Sequence, residues 1–457
     1  MNNFIDLALI PELQQGISAA AYTTMTPVQA ASLPAILTRR DVIAQAKTGS
    51  GKTAAFALGL LSAIDASLLQ LQGLVLCPTR ELADQVSKEI RKLARFVPNV
   101  KVLTLCGGIP LRPHLASLAH EPHLVVGTPG RILELLQKGA LPLANVRVLV
   151  LDEADRMLDM GFADDIAAIT THVPSSRQTL LFSATYSDQV RDISAQFQRD
   201  ALDVSVAATL TTEEVEQVFF DVETDDKFSA LTTLLGQHKP EAALVFCNTK
   251  RDTRALAAEL SQRGYSVLAL HGELDQRDRD EVLLRFANRS CAVLVATDVA
   301  ARGLDIKDMP VVINYDMALD PDIHLHRIGR TGRAGSKGLA LSLCTAKERS
   351  RAAAIEADQG APLTWRRLSA SRAATKPLVA GMVTLAIDGG RQEKLRPGDL
   401  LGALTGDAAL SAEAVGKIDI FATRSYVAIG RRSVDQALRA LSEGKIKGRK
   451  FRVRQID

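Results

Sequence analysis

Two stretches of the chain carry residues able to bind and cleave a phosphoanhydride. In the first, Asp41-Val42-Ile43-Ala44 leads into Gln45-Ala46-Lys47-Thr48-Gly49-Ser50-Gly51-Lys52-Thr53 and then a helical stretch. Backbone N–H groups of such a loop wrap phosphates, and the following helix N-terminus favours negative charge. Lys52 is placed to reach the β- and γ-phosphates of ATP, and Thr53 to offer its hydroxyl to Mg2+. In the second, Val148-Leu149-Val150-Leu151 runs into Asp152-Glu153-Ala154-Asp155. Four aliphatics in a row read as a buried parallel strand, and open α/β sheets hold ligands at the carboxyl ends of their strands. Asp152 would hold Mg2+ through its water shell, and Glu153 would orient or deprotonate an attacking water. Each stretch alone has a plain alternative, a Gly-Lys-Thr turn or an acidic strand-to-helix turn. Strand, loop and helix in the right order, with the acids downstream, favour the nucleotide reading.

Both stretches need a sheet to position them, and the chain offers two copies of an α/β layout. In the first copy, residues 73–77, 101–105, 123–126, 148–151 and 179–182 read as buried strands, with helical stretches such as Glu81 to Phe96 between them. In the second, residues 243–246, 266–270, 292–295 and 311–314 repeat the pattern. Strands alternating with helices call for parallel sheets covered on both faces. Ala207 to Glu214, short and polar, reads as a hinge, so the whole would work as a closing clamp.

At 457 residues, two or three domains are expected, each able to bury a core. No run of 18 apolar residues predicts a membrane span. Met1 to Ala8 carries Asp6 and no basic residue, unlike a secretory leader. Cys77, Cys106, Cys247, Cys291 and Cys344 form no Cys-x-x-Cys pair and read as reduced core thiols of a cytoplasmic protein.

Charge is unevenly spread. Residues 366–457 carry a net +9 and the rest of the chain −6, which marks a separate C-terminal module that meets a polyanion. Its order of strand (381–387), helix (397–405), strands (417–421 and 425–429), helix (434–441) and strand (450–456) reads as a split βαβ. An RNA-recognition-motif (RRM) sheet is the leading candidate. Ser425-Tyr426-Val427-Ala428-Ile429 resembles the end of its third-strand signature, but Arg424 stands where a stacking ring is expected. The first strand is expected to present Thr384 and Ala386, leaving Tyr426 as the face's one ring and a poor stacking platform. Lys447, Arg449 and Lys450, among other basic residues around the last helix and strand, offer another route to RNA, although charge runs are usually solvated surface.

The two nucleotide-site stretches resemble the DEAD-box RNA helicase family, whose loop variant Ala-x-Thr-Gly-x-Gly-Lys-Thr is matched by Ala46 to Thr53. Asp152-Glu153-Ala154-Asp155 is similar to the motif that names it. Further matches are Thr26-Pro27-Val28-Gln29, Pro78-Thr79-Arg80-Glu81-Leu82-Ala83, Gly107-Gly108, Thr128-Pro129-Gly130-Arg131 and Ser183-Ala184-Thr185. The series continues with Val245 to Thr249, Gln276 with Arg279, Ala296 to Asp305, and His326-Arg327-Ile328-Gly329-Arg330-Thr331-Gly332-Arg333. Core and tail together look like the bacterial DbpA group.

The resemblance implies roles. Lys47, Thr48, Gly49, Ser50 and Gly51 would wrap the phosphates. Gln29 is similar to the residue that reads the adenine edge, near Phe4 or Tyr22; as a residue type it would equally suit a helix start after Pro27. Asp305 matches a ribose contact, and Arg330 and Arg333 match arginines that approach the γ-phosphate when the lobes close. Ser183, Thr185 and His326 look like links between the Asp155 region and closure. Arg80, Gly108, Thr128, Arg131, Thr249, Arg279 and Thr297 would line one RNA-binding face, suited to phosphate and sugar rather than bases. The implied protein is an ATP-dependent RNA helicase using ATP and Mg2+, with RecA-like lobes at 1–208 and 209–365, a basic linker at 366–377 and an RRM-like domain at 378–457. Its implied target is a 23S ribosomal RNA hairpin during large-subunit assembly, with no obligate protein partner indicated. A general messenger-RNA helicase, or an ATP-gated RNA clamp that does not unwind, shares the same motifs.

Overall fold

The computed structural model describes residues 3–46, 49–205, 215–301, 309–332, 338–368, 376–407 and 410–456. Contacts divide the chain into two units that part at Thr209–Leu210.

The first unit holds a seven-stranded parallel sheet: β1 (Val42–Gln45), β2 (Gly73–Leu76), β3 (Val102–Leu105), β4 (Leu124–Gly127), β5 (Val148–Asp152), β6 (Gln178–Ser183) and β7 (Leu202–Ser205), in the order β3-β4-β2-β5-β6-β1-β7. Alternate side chains feed two cores. Val75, Val148, Val150 and Phe182 face one side, and Leu74, Leu149, Leu151 and Leu181 the other. Both faces of the sheet are therefore dry, which is why β5 can be aliphatic without alternation. The half-exposed, alternating Leu202-Asp203-Val204-Ser205 escapes sequence detection because it is an edge strand beside β1.

The second unit begins with another parallel sheet: β8 (Val215–Asp221), β9 (Ala243–Cys247), β10 (Val267–Leu270), β11 (Val293–Thr297), β12 (Val311–Asn314), β13 (Gly338–Cys344) and β14 (Trp365–Arg366), ordered β10-β11-β9-β12-β13-β8-β14. β8, β13 and β14 add to the four strands read from sequence, and Arg366, expected in the linker, pairs in β14 beside Phe220.

The tail forms a four-stranded antiparallel sheet from β15 (Met382–Ile387), β16 (Val415–Ile420), β17 (Ser425–Gly430) and β18 (Val453–Ile456), ordered β16-β17-β15-β18. Val383, Leu385, Ile387, Val427 and Ile429 pack against Leu400, Val434, Ala437 and Leu441 of its helices, giving the expected α+β layout. The opposite face departs from expectation. Thr384 and Ala386, expected to be presented, are buried, and Thr384 Oγ1 accepts from Asn288 Nδ2 at 2.9 Å and donates to Ser290 Oγ at 2.8 Å. The segment leading into β15 docks too. Ser266 N donates to Leu378 O, Ala380 N donates to Ser266 Oγ, and Ala380 joins the core of the second lobe. The sheet face is thus committed to lobe 2.

Candidate active site

The phosphate loop leaves β1 at Ala46, which is buried and bonded through its N–H to Ser183 O. Lys47 and Thr48 lie outside the described residues. Gly49 and Gly51 turn the chain with φ of 90° and 95°. A Cβ on Gly51 would stand 2.5 Å from Gln29 Nε2, so this position needs glycine twice over, for its backbone and for the approach. Gln29 takes the helix-start role open to it: its Oε1 accepts from Thr26 N at 2.8 Å in a capping box. It also ties that helix to the loop, because Nε2 donates to Gly51 O at 3.0 Å. Phe4 is buried beside Tyr22, the ring centroids 6.0 Å apart.

Lys52 and Thr53 open the helix Lys52–Ala63. Lys52 is 5% exposed, and among the described residues its buried Nζ has no hydrogen-bond acceptor. Asp152, at the end of β5, is 2% exposed. Burial pushes its carboxyl up to about 7, with Lys52 pulling down and Glu153 pushing up. A buried ammonium without an acceptor and a carboxylate short of positive charge are together an incomplete site. A phosphate on Lys52 and a cation on Asp152 and Thr53 would complete it, so the residues present fit a nucleotide with Mg2+.

Glu153 adopts left-handed backbone angles, φ 53° and ψ 54°, uncommon for a residue with a side chain and concentrated at functional positions. Its Oε2 accepts from Arg156 Nη1 at 2.8 Å in a buried ion pair that fixes the side chain's direction. Sequence reading missed Arg156, which is one helical turn away and silent without a known rotamer. Asp155 turns the other way. Its Oδ2 accepts from Ala184 N, Thr185 N and Thr185 Oγ1 at 2.9–3.1 Å, and its own N–H donates to Ser183 Oγ. The acidic turn and the Ser183–Thr185 turn therefore move as one piece.

In the second lobe, Arg330 is buried and lines a small pocket with His326, Asp298 and Phe246. Arg333 and Asp305 lie outside the described residues. A heavily bonded residue here is one the sequence left without a role. Arg327, 1% exposed, donates to both oxygens of Asp298, to Asn248 Oδ1, to Asn314 Oδ1 and to Asp316 O. It joins three motif stretches into one rigid floor under Arg330.

The expected RNA residues of each lobe sit at carboxyl ends of strands. In lobe 1, half-buried Arg80 packs over Gly108, and its Nε and Nη1 have no acceptor. Thr128 Oγ1 accepts from Gly107 N. Arg131, also expected on that face, is buried, bonded to His114 Nδ1 and Ile109 O, and 3.0 Å from Glu134. It props the Gly107–Pro110 turn. In lobe 2, Thr249 caps the helix Lys250–Gln262, Arg279 donates to Ala300 O, and Thr297 Oγ1 accepts from Ala300 N.

On the tail, Arg449 and Lys450 are exposed, whereas Lys447 is spent internally on Lys394 O, with Asp399 3.6 Å away. Arg424 pairs with Asp388, and Tyr426 meets Phe421 edge-on. All five cysteines are buried and free, as read from sequence. Among the described residues no helix is long and apolar enough to cross a membrane.

Family models match in three places: DEAD/DEAH box helicase over residues 26–193, helicase conserved C-terminal domain over 226–335, and DbpA RNA binding domain over 384–455. The chain is 52% identical to the ATP-dependent RNA helicase DbpA of Escherichia coli over the whole of both chains, and 35% identical to that of Bacillus subtilis, again end to end. A DEAD-box helicase CshA of Bacillus cereus is 44% identical over 78% of this chain and 68% of its own. The solved structure of Saccharomyces cerevisiae Dbp5 bound to RNA and ADP BeF3 is similar over 81% of this chain and 96% of its own, with a TM-score of 0.72 and 31% identity. Two RecA-like lobes, an incomplete phosphate site and a basic tail thus converge with these relatives: the chain belongs to the DEAD-box ATP-dependent RNA helicases, in the branch that carries a DbpA RNA-binding domain.

Proposed function

We propose that this helicase is directed by its tail to a hairpin of 23S ribosomal RNA and opens structured RNA locally during large-subunit assembly in the cytoplasm. Buried Lys52 Nζ without an acceptor, beside the cation-seeking Asp152, carries the catalytic half of the reading. The resemblance to the DbpA group, with the exposed Arg449 and Lys450, supports the target.

Lys52 holds the phosphates and Glu153, held in place by Arg156, orients the attacking water. Thr53 and Asp152 would hold Mg2+, which when bound neutralises charge on the phosphate oxygens. Gln29 and Asp305 position the base and ribose, with Lys47 and Thr48 in the loop. Arg330, with Arg333, meets the γ-phosphate when the lobes close, and His326 senses that closure. Arg80, Gly108, Thr128, Thr249, Arg279 and Thr297 then hold one bent strand by its backbone, a shape a duplex cannot adopt without losing pairs. Hydrolysis reopens the clamp.

The test compares ATPase stimulation and strand displacement with ribosomal, messenger and homopolymer RNA. A cut after Ala380 keeps Leu378 and Ala380 on the second lobe. The cut chain should retain ATPase activity weakly stimulated by any RNA, whereas the full chain prefers the ribosomal hairpin. Equal preference in both forms would remove the tail's targeting role, and ATPase without strand displacement would leave only a clamp.

A further inference from the structure

Lobe 1 has a second basic surface, at the end of its sheet away from the phosphate loop. Arginine precedes four of its strands at the amino end: Arg40 before β1, Arg147 before β5, Arg177 before β6 and Arg199 before β7, with Arg39 alongside. Here lies an open cleft of ≈500 Å³, lined by Arg39, Arg147, Gln70, Asn145, Ser176 and Gln178 among others, with no acid in its wall. Nearby carboxylates are largely committed. Asp41 accepts from Thr179 N and Arg199 N, Asp200 pairs with Arg40, and Asp65, whose charge reaches Arg147, is held by Ser67. The two cleft guanidinium groups are close enough to disfavour each other: burial first, then the Arg147 charge, lowers the pKa of Arg39. An anion between them relieves that repulsion. The wall also holds a buried acceptor with no donor among the described residues. Gln178 donates through Nε2 to Ile36 O and Arg40 O, while its buried Oε1 accepts nothing. Two cations and a carbonyl oxygen in need of a donor describe a ligand that is anionic and hydroxylated at once.

We infer that this cleft binds a ribose-phosphate group, with phosphate on Arg39 and Arg147 and a ribose hydroxyl on Gln178 Oε1, as a second contact for RNA remote from the strand-holding face. The choice of RNA as source rests on the helicase reading above; free sugar phosphates share the chemistry.

The test uses the full chain and a ribosomal RNA hairpin with a single-stranded extension bearing 4-thiouridine. Photo-cross-links are expected on peptides 144–147 and 174–178. The double variant Arg39→Asn, Arg147→Gln should lose them while keeping its ATPase activity and melting temperature; asparagine suits the φ of 67° at Arg39. The slope of log affinity against log salt should flatten by about 1.4, two single-strand phosphate contacts at about 0.7 each. In a second arm, ribose 5-phosphate is titrated into the ADP-saturated chain. Stabilisation abolished by the double variant, without RNA cross-links at the cleft, would assign the site to free sugar phosphates. Neither cross-links nor stabilisation at the cleft would overturn the inference. Cross-links between Gly108 and Arg131 report separately on the helicase reading, so failure there and failure at the cleft are distinct results. If the double variant unfolds, Arg147→Gln alone, on an exposed side chain, must still lower the cleft cross-link.

Discussion

The two lobes are built on one plan and treat the same pair of charges in opposite ways. Numbered from its own first strand, each sheet runs 3-4-2-5-6-1-7. In lobe 1 the helix after the first strand begins with Lys52, and the fifth strand ends on Asp152. In lobe 2 the helix after the first strand begins with Lys227, and Asp316 follows the fifth strand by two residues. Lys227 Nζ lies 2.9 Å from Asp316 Oδ1 and 3.0 Å from Glu348 Oε2, while Lys52 Nζ touches no acceptor among the described residues. Burial would raise the Glu348 carboxyl, but the Thr345 N–H and the Lys227 ammonium outweigh it and leave it low. A second carboxylate, Glu348, has thus sealed in lobe 2 the place that lobe 1 keeps open. The lesson is that a lysine at this position is no binding site by itself; what makes one is the missing acceptor.

The largest effect expected is on turnover. Glu153→Gln should lower kcat by roughly 10²–10⁴-fold while ATP-dependent RNA binding survives, because the charge that acts on water is lost and the phosphate site is not. Near-normal hydrolysis in a steady-state assay would take Glu153 out of that role.

Next, the same substitution in each lobe should have opposite consequences. Lys52→Met should abolish detectable turnover and leave the lobe 1 melting temperature unchanged or higher, since an unsatisfied buried charge disappears. Lys227→Met should cost lobe 2 about 3–5 kcal/mol by stranding Asp316 and Glu348. Equal destabilisation of the two lobes would break the comparison.

A smaller test uses acid. Burial, reinforced by Arg327, lowers the pKa of His324 to about 3, and its neutral ring meets Gln217 Oε1. The unfolded chain binds this proton near 6.5 and the folded chain does not until about 3. Its stability contribution is therefore complete above 6.5 and is lost as pH falls through that window, by up to about 1.4 kcal/mol per unit. His324→Gln should remove this component from denaturant titrations of lobe 2, and an unchanged pH slope would count against a neutral His324.

The smallest effect concerns the tail. Asn288→Ala should weaken its docking by about 1 kcal/mol, seen as faster amide exchange along Met382–Ile387. Unaltered exchange would make the contact incidental.

Where local sequence carried the physics, reading it sufficed. Four aliphatics in a row ending in acids mark β5, and glycines at 49 and 51 mark backbone that only they adopt comfortably. What stayed illegible depends on partners far along the chain. Nothing near Lys227 announces Glu348, 121 residues on, and nothing near Thr384 announces Asn288. The surroundings of Arg131 were equally hidden, because its motif position says where it sits, not that His114 and Ile109 O hold it.

The docked tail bears on how such proteins can diversify. A recognition domain on a loose string can be exchanged between enzymes as a cassette. Here Thr384 on the cassette answers Asn288 and Ser290 on the motor, and Ala380 of the joining segment lies in the motor's own core. A new tail spliced in at Met382 would bring no Thr384 to Asn288 and Ser290 and would hang from lobe 2 by the Leu378–Ala380 segment alone. A descendant with altered RNA preference is therefore more easily reached by changing the exposed basic residues, such as Arg449 and Lys450, than by replacing the fold that presents them.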